Sequence, residues 1–251
     1  MMPRRAFLGA AAAFVVAACT KAKQPVASAP TTSSTTPARS STTTTTTATS
    51  AGPAAFVTSG PTTGNKVALT FHGSGDVALL RQLLAAAETA SVPITVFAVG
   101  NWLDANPGVA KLILDGGHEL ANHTYTHPVL PKLGRAAIAG EIAMCRDALA
   151  KHTGEPGRWF RPSGTPAAND VIREEAAKAG YRTVVGYDVD PLDYQDPGAK
   201  AVASAVKAGA HPGAIVSLHT GHAGTVEAFP AIVQSLRAAG LTAVRLRDLL
   251  P

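Results

Sequence analysis

A chain of 251 residues with 22 Lys and Arg against 17 Asp and Glu carries a formal charge of +5, a surplus that could suit a polyanion binder. The surplus is local: Arg4, Arg5, Lys21, Lys23 and Arg39 precede Lys66 with no acid among them, and the remainder balances at 17 of each sign. A globular part without net charge or a Lys/Arg cluster has no electrostatic footprint for nucleic acid, and that class of partner is excluded.

The chain opens Arg4-Arg5-Ala6-Phe7-Leu8 and continues apolar from Gly9 to Ala18. That run falls short of the roughly 20 apolar residues a bilayer span needs, so residues 1–18 read as an export signal. Val16-Ala17-Ala18-Cys19 resembles a lipobox, and Arg4-Arg5 before Phe7-Leu8 a twin-arginine signal. The expected location is therefore the outer face of the membrane or the cell envelope, through a lipid on Cys19. Residues 19–58 are mostly Thr, Ser, Ala and Pro, including the run Thr42 to Thr47. With so few large apolar residues they cannot offset the entropy of ordering, and a disordered tether is expected. Residues 59–251 are long enough for one domain with a sizeable core. Cys145 lies in a helical pattern and reads as a small buried hydrophobe rather than half of a disulfide.

Strands are expected at Lys66–Phe71, Ile94–Val99, His118–Asn122, Arg158–Arg161, Tyr181–Tyr187, Ala214–His219 and Thr242–Leu246. Helical spacing covers Val77–Ala90, Pro107–Leu114, Arg135–Lys151, Asn169–Ala179, Ala199–Ala208 and Thr225–Ala239. Strict β-then-α order implies an α/β fold of parallel strands, either a closed or nearly closed barrel or an open doubly wound sheet. No Gly-rich phosphate loop follows any strand, which weakens a nucleotide-binding version. The reactive side chains gather at C-terminal strand ends: His72 and Asp76, His123 and His127, Arg161, Asp190 and Asp193, and His219. In a parallel barrel those ends share the face on which active sites are built.

Asn122-His123-Thr124-Tyr125-Thr126-His127 places two imidazoles four residues apart, within reach of one divalent ion if the turn is helical, although Pro128 disfavours helix at His127. Together with Phe160-Arg161-Pro162-Ser163-Gly164, Asp190-Pro191-Leu192-Asp193-Tyr194 and Ile215-Val216-Ser217-Leu218-His219, the chain from about Lys66 to Leu250 resembles the polysaccharide deacetylase (NodB-homology) family. The resemblance implies a distorted (β/α)7 barrel and metal-dependent removal of N-acetyl or O-acetyl groups from an N-acetylated, peptidoglycan-like glycan. It also implies His123 and His127 as metal ligands, Arg161 as the residue orienting the base, and His219 as general acid. Asp190 or Asp193 would hold an arginine or histidine in place. Leu218 would shape the acetyl pocket, with Pro162 and Tyr194 at the substrate. The ion would be zinc, or cobalt or another first-row divalent ion.

The first motif departs from that family, which has Thr-Phe-Asp-Asp-Gly where this chain reads Thr70-Phe71-His72-Gly73-Ser74-Gly75-Asp76. Three arrangements are open. Asp76 curls back to complete a His-His-Asp site with His72 as base, which is the arrangement favoured because metal sites usually add a carboxylate to two imidazoles. Alternatively His72 ligates and Asp76 is the base, or the barrel binds glycan without metal or cleavage. His118, Trp102 and Trp159 read as packed residues, His152 and His211 as exposed ones. His222 is either a substrate contact or part of a loop.

Overall fold

The computed structural model describes residues 52–251. The expected export signal at 1–18, the expected lipid site Cys19 and most of the expected 19–58 tether lie outside them. Among the described residues, those at 54–57 are folded although they fall inside the segment expected to be tether. Ala55–Val57 forms β1, parallel to β5 (Thr183–Val185), and Ala54 is buried. A strand of three residues takes its hold from backbone pairing, so composition averaged over its Pro- and Ser-rich surroundings hides it.

The central strand is β2 (Lys66–Gly73), buried at every position but Lys66. Along one edge it pairs with β6 (Ile215–His219). Along the other it pairs with β3 (Thr95–Ala98) near its C-terminal end and β7 (Thr242–Val244) near its start. Beyond β3 lies β4 (Glu119–Asn122), and every one of these ladders is parallel. Continuous burial is what a parallel strand covered on both faces requires.

The ring is completed by single bridges instead of ladders. Phe160 lies between Asn122 and Val184, and Val189, just past β5, pairs with Val216. Trp159 accepts from the Asn122 amide at 2.9 Å, Phe160 from Val185 at 2.8 Å, and Val189 from Ser217 at 2.9 Å. The result is an α/β architecture whose parallel strands form a distorted barrel. The strand expected at Arg158–Arg161 shrinks to one bridged residue, because Pro162 cannot donate to a ladder.

The helices cover the outside: α1 (Val77–Thr89), α2 (Gly100–Ala105), α3 (Val109–Asp115), α4 (Arg135–Thr153), α5 (Asp170–Lys178), α6 (Ala199–Gly209), α7 (Ala223–Ala238) and α8 (Leu246–Leu249). In α1 the apolar residues at helical spacing, Leu80, Leu83, Leu84 and Ala87, are the buried ones. Gly100 opens α2 rather than ending a strand, and Leu246, expected as strand, begins α8.

Alternation along the strands sorts side chains into two layers. Val67, Leu69, Phe71, Val96, Val216 and Leu218 belong to the outer layer packed against helices. Ala68, Phe97, Ala121, Trp159, Val185 and Ile215 fill the lumen, with Leu246, Leu249 and Leu250 in the same cluster. Further along three of these strands the inward row turns polar, two residues past Ala121 and Ile215 and four residues past Ala68 and Ile215. His72, His123, Ser217 and His219 stand there.

Candidate metal centre

β2 runs two residues past the expected end, so His72 belongs to the strand rather than to the loop after it. It lies in register with His219 across the β2–β6 ladder, and the two rings stack with centroids 4.4 Å apart. His72 Nδ1 is 2.7 Å from His123 Nε2, and its Nε2 is 3.0 Å from Ser217 Oγ. His123 directly follows β4; its amide donates to Ala98 and its Nδ1 lies 3.0 Å from the Arg161 carbonyl oxygen.

The second imidazole of the His-x-x-x-His pair arrives by a turn that is not helical. Thr124 and His127 both have left-handed backbone, with φ of 68° and 59°, a conformation that costs roughly 1 kcal/mol or more per non-Gly residue. Glu141, on α4, holds this turn. Its carboxylate accepts from the amides of Tyr125 at 2.9 Å and Thr126 at 2.8 Å, and from the Thr126 hydroxyl at 2.6 Å. Glu141 was not singled out from sequence, yet a signal existed: it is a charged residue within the buried stripe Ile138, Ile142, Cys145 and Leu149.

The ligand nitrogens of His72, His123 and His127 lie within 4.8 Å of one another. Burial pushes all three imidazoles below their ordinary value, with His123 adding to the effect on His72, His127 on His123, and His219 on His127. Neutral imidazoles offer lone pairs, and three of them with an open position form a donor set suited to zinc. The residues present therefore fit a divalent ion, as a three-imidazole set.

Asp76 does not join it. Its carboxylate accepts from the Ala78 amide at 2.8 Å and caps α1 in an exposed position, so the His-His-Asp set favoured above is replaced by one containing His72. The capping role gives helix formation a use for that carboxylate. Asp76→Ala is accordingly expected to cost about 1 kcal/mol of stability while leaving zinc stoichiometry unchanged, as read by urea unfolding and elemental analysis. Gly73, where the resemblance would put a ligand Asp, has no space for a side chain: a Cβ there would stand 2.6 Å from Val96 Cγ1.

Arg161 is fully buried. It donates from Nε to Val185 O at 3.1 Å and from Nη2 to Gly186 O at 3.0 Å, and its guanidinium lies over the Phe97 ring at 4.1 Å. Nη1 faces His72 Nε2 at 3.4 Å. Burial pushes its pKa down to about 9, which leaves a cation at neutral pH. What it faces is thus an imidazole, not the carboxylate base that the family resemblance would supply.

Asp193, not Asp190, is the carboxylate of the site. Buried Asp193 accepts from the His219 amide at 2.8 Å and the Thr225 hydroxyl at 2.6 Å, and its Oδ1 is 2.7 Å from His219 Nδ1. Asp190 is exposed and closes its own turn by accepting from the Leu192 amide. Leu218 points into the outer layer at 0% exposure, because it is out of phase with His219. Ser217, missed from sequence, holds the inward position. Pro162 is buried, whereas Tyr194 is exposed with its ring 5.4 Å from that of His219. His222 pairs with Asp196 at 2.7 Å beside His219. Trp102, Trp159 and His118 are packed residues, with Trp102 Nε1 bonded to Gly75 O, Trp159 Nε1 to Glu119, and His118 Nδ1 accepting from the Ile94 amide. Cys145 is a buried free thiol pushed up to about 12 by burial.

The depressed imidazoles set a pH dependence for metal-free protein. An unfolded chain takes up protons near pH 6.5 that the folded His72 and His123 refuse, so stability is full above that value and falls as pH drops below it. The slope is about 1.4 kcal/mol per pH unit for each imidazole. Denaturant titrations of chelator-treated protein at several pH values between 7.5 and 5.5 measure it; a flat profile contradicts the neutral assignment.

A family model described as polysaccharide deacetylase matches residues 59–184. The chain is 30% identical over 203 residues to a peptidoglycan-N-acetylglucosamine deacetylase of Bacillus cereus, spanning 79% of this chain and 94% of that one. A CE4 family pseudoenzyme from Bacillus anthracis superimposes with TM-score 0.73 at 27% identity, over 78% of this chain and 69% of the other. A family 4 carbohydrate esterase from Streptomyces lividans, solved with acetate, gives TM-score 0.66 at 32% identity, over 72% and 92%.

Proposed function

The chain belongs to the polysaccharide deacetylase family, and from that premise we propose that it removes N-acetyl groups from a peptidoglycan-like glycan with zinc held by His72, His123 and His127. One observation carries the reading: three ligand nitrogens within 4.8 Å of one another beside a histidine fixed by a buried aspartate.

Amide hydrolysis needs a polarised carbonyl, an activated water and a proton for the departing amine. A bound divalent ion supplies Lewis acidity and lowers the pKa of water. The protein supplies the rest. Asp193 takes the Nδ1–H of His219, which leaves Nε2 without a protein partner among the described residues and free to carry a proton. No other carboxylate among the sequence-predicted site residues serves: Asp76 caps α1 and Asp190 its own turn. His219 Nε2 is then the atom that receives a proton and returns it to the leaving amine. The exposed Tyr194 ring beside it offers a flat face to a sugar.

The test is acetate release from peptidoglycan and from N-acetylglucosamine oligomers, lost on chelation and restored by zinc. A second reading, a glycan-binding barrel without catalysis, is favoured by the absence of both first-motif carboxylates and by the likeness to a pseudoenzyme. Its signature is saturable oligosaccharide binding that ignores chelator, with no acetate released by zinc-loaded protein.

A further inference from the structure

We propose that Ser217 is a positioning residue that selects the tautomer of His72 and so sets how tightly the three-imidazole site holds zinc. The proposal rests on the reading of that site given above.

A neutral imidazole has one nitrogen that donates and one that accepts. In His72 the nitrogen turned toward His123 is Nδ1, 2.7 Å from His123 Nε2. A cation held between them takes lone pairs, so His72 must carry its proton on Nε2. Two groups face that nitrogen: Arg161 Nη1 at 3.4 Å and Ser217 Oγ at 3.0 Å. A guanidinium only donates, so it cannot receive the Nε2–H; the serine oxygen can. Ser217 is 1% exposed, lies in register with Thr70, two residues before His72 along β2, and in the metal-binding tautomer its oxygen accepts the Nε2–H.

The opposite tautomer closes the site. With Arg161 donating to His72 Nε2, the His72 proton sits on Nδ1 and is given to His123 Nε2, which occupies both nitrogens a cation needs. Arg161 can hold only that tautomer, whereas Ser217, at the shorter distance, has an oxygen that accepts the Nε2–H of the metal-binding one. His123 needs no such choice: its Nδ1–H donates to the Arg161 carbonyl at 3.0 Å, which bares Nε2. Groups that receive the distal N–H of a ligating histidine govern metal affinity by roughly 10–100-fold.

Zinc affinity, measured by competition with a chromophoric chelator, tests this in the wild type and in Ser217→Ala, Ser217→Thr, Ser217→Val and His127→Ala proteins. The expected result is a 10–100-fold loss in Ser217→Ala, a loss of the same order in Ser217→Val, and affinity within about threefold of wild type in Ser217→Thr, which keeps the acceptor. The Thr/Val pair differs by one hydroxyl at equal shape, so it carries the test even where Ser217→Ala fails to fold. Melting temperatures in chelator accompany each titration, and equal metal-free stability of the Thr and Val proteins marks the loss as one of coordination. Wild-type affinity in both Ser217→Ala and Ser217→Val, with His127→Ala losing zinc, overturns the role of Ser217 while the site stands. Equal affinity of His127→Ala and wild type overturns the three-imidazole site itself.

Discussion

His127→Ala protein assayed with added zinc is expected to release acetate on the order of 10³-fold more slowly than wild type, equivalent to about 4 kcal/mol of transition-state stabilisation. Zinc should also be missing from the purified variant by elemental analysis. His127 is exposed and lies at the end of a turn that Glu141 holds through other groups, so its loss leaves the fold in place. His123→Ala is expected to match it in activity and to be less stable as well. His123 is fully buried, and its removal strips the Arg161 carbonyl of a donor, at a cost of about 1–3 kcal/mol beyond the cavity. Comparing melting temperatures of the two variants in chelator separates the site from the scaffold. Full activity in His127→Ala would show that the three nitrogens do not act together.

The second large effect belongs to Asp193→Asn. The carboxylate accepts three hydrogen bonds at once, from His219 Nδ1–H, the His219 amide and the Thr225 hydroxyl. An amide in its place has one accepting oxygen. With that oxygen kept by the His219 amide and Thr225, its NH2 group faces Nδ1 and drives the imidazole proton to Nε2. Acetate release is then expected to fall by 10³- to 10⁴-fold on the order seen when an acid/base histidine is put in the wrong tautomer. Zinc affinity stays near wild type, because His219 is not one of the three ligands. Asp190→Asn is the paired control, since the exposed Asp190 carboxylate accepts from the Leu192 amide of its own turn and not from His219. If the two variants behave alike, His219 has no proton to move.

The residues behind these two effects differ in how far they could be read in advance. His123, His127 and His219 were legible because their motifs come in order and fall at strand ends, where a parallel barrel gathers its chemistry. Asp193 was visible only as one of a pair with Asp190. Choosing between them needed the 3-10 turn Asp193–Gln195, which carries Asp193 under β6 while Asp190 remains outside. Leu218 was assigned one residue out of phase. Strand alternation puts Ser217 and His219 on the lumen side, and applying that period to Ile215–His219 would have found Ser217. Glu141 lay in plain view as an acid in a buried helical stripe, but a helix pattern does not say which loop lies over it.

By itself the sequence determined most of the alternation of strands and helices, the parallel α/β class and most of the polar side chains available at one rim, because periodicity and turn residues act locally. Tertiary structure decided the ligand set. Asp76 lies close to His72 along the chain, yet it caps α1, while His72 meets His123, 51 residues away, across two intervening ladders, from β2 through β3 to β4. Local rules describe what each residue can do; which atoms converge depends on register between strands far apart in sequence, where a shift of one residue turns every side chain to the other face.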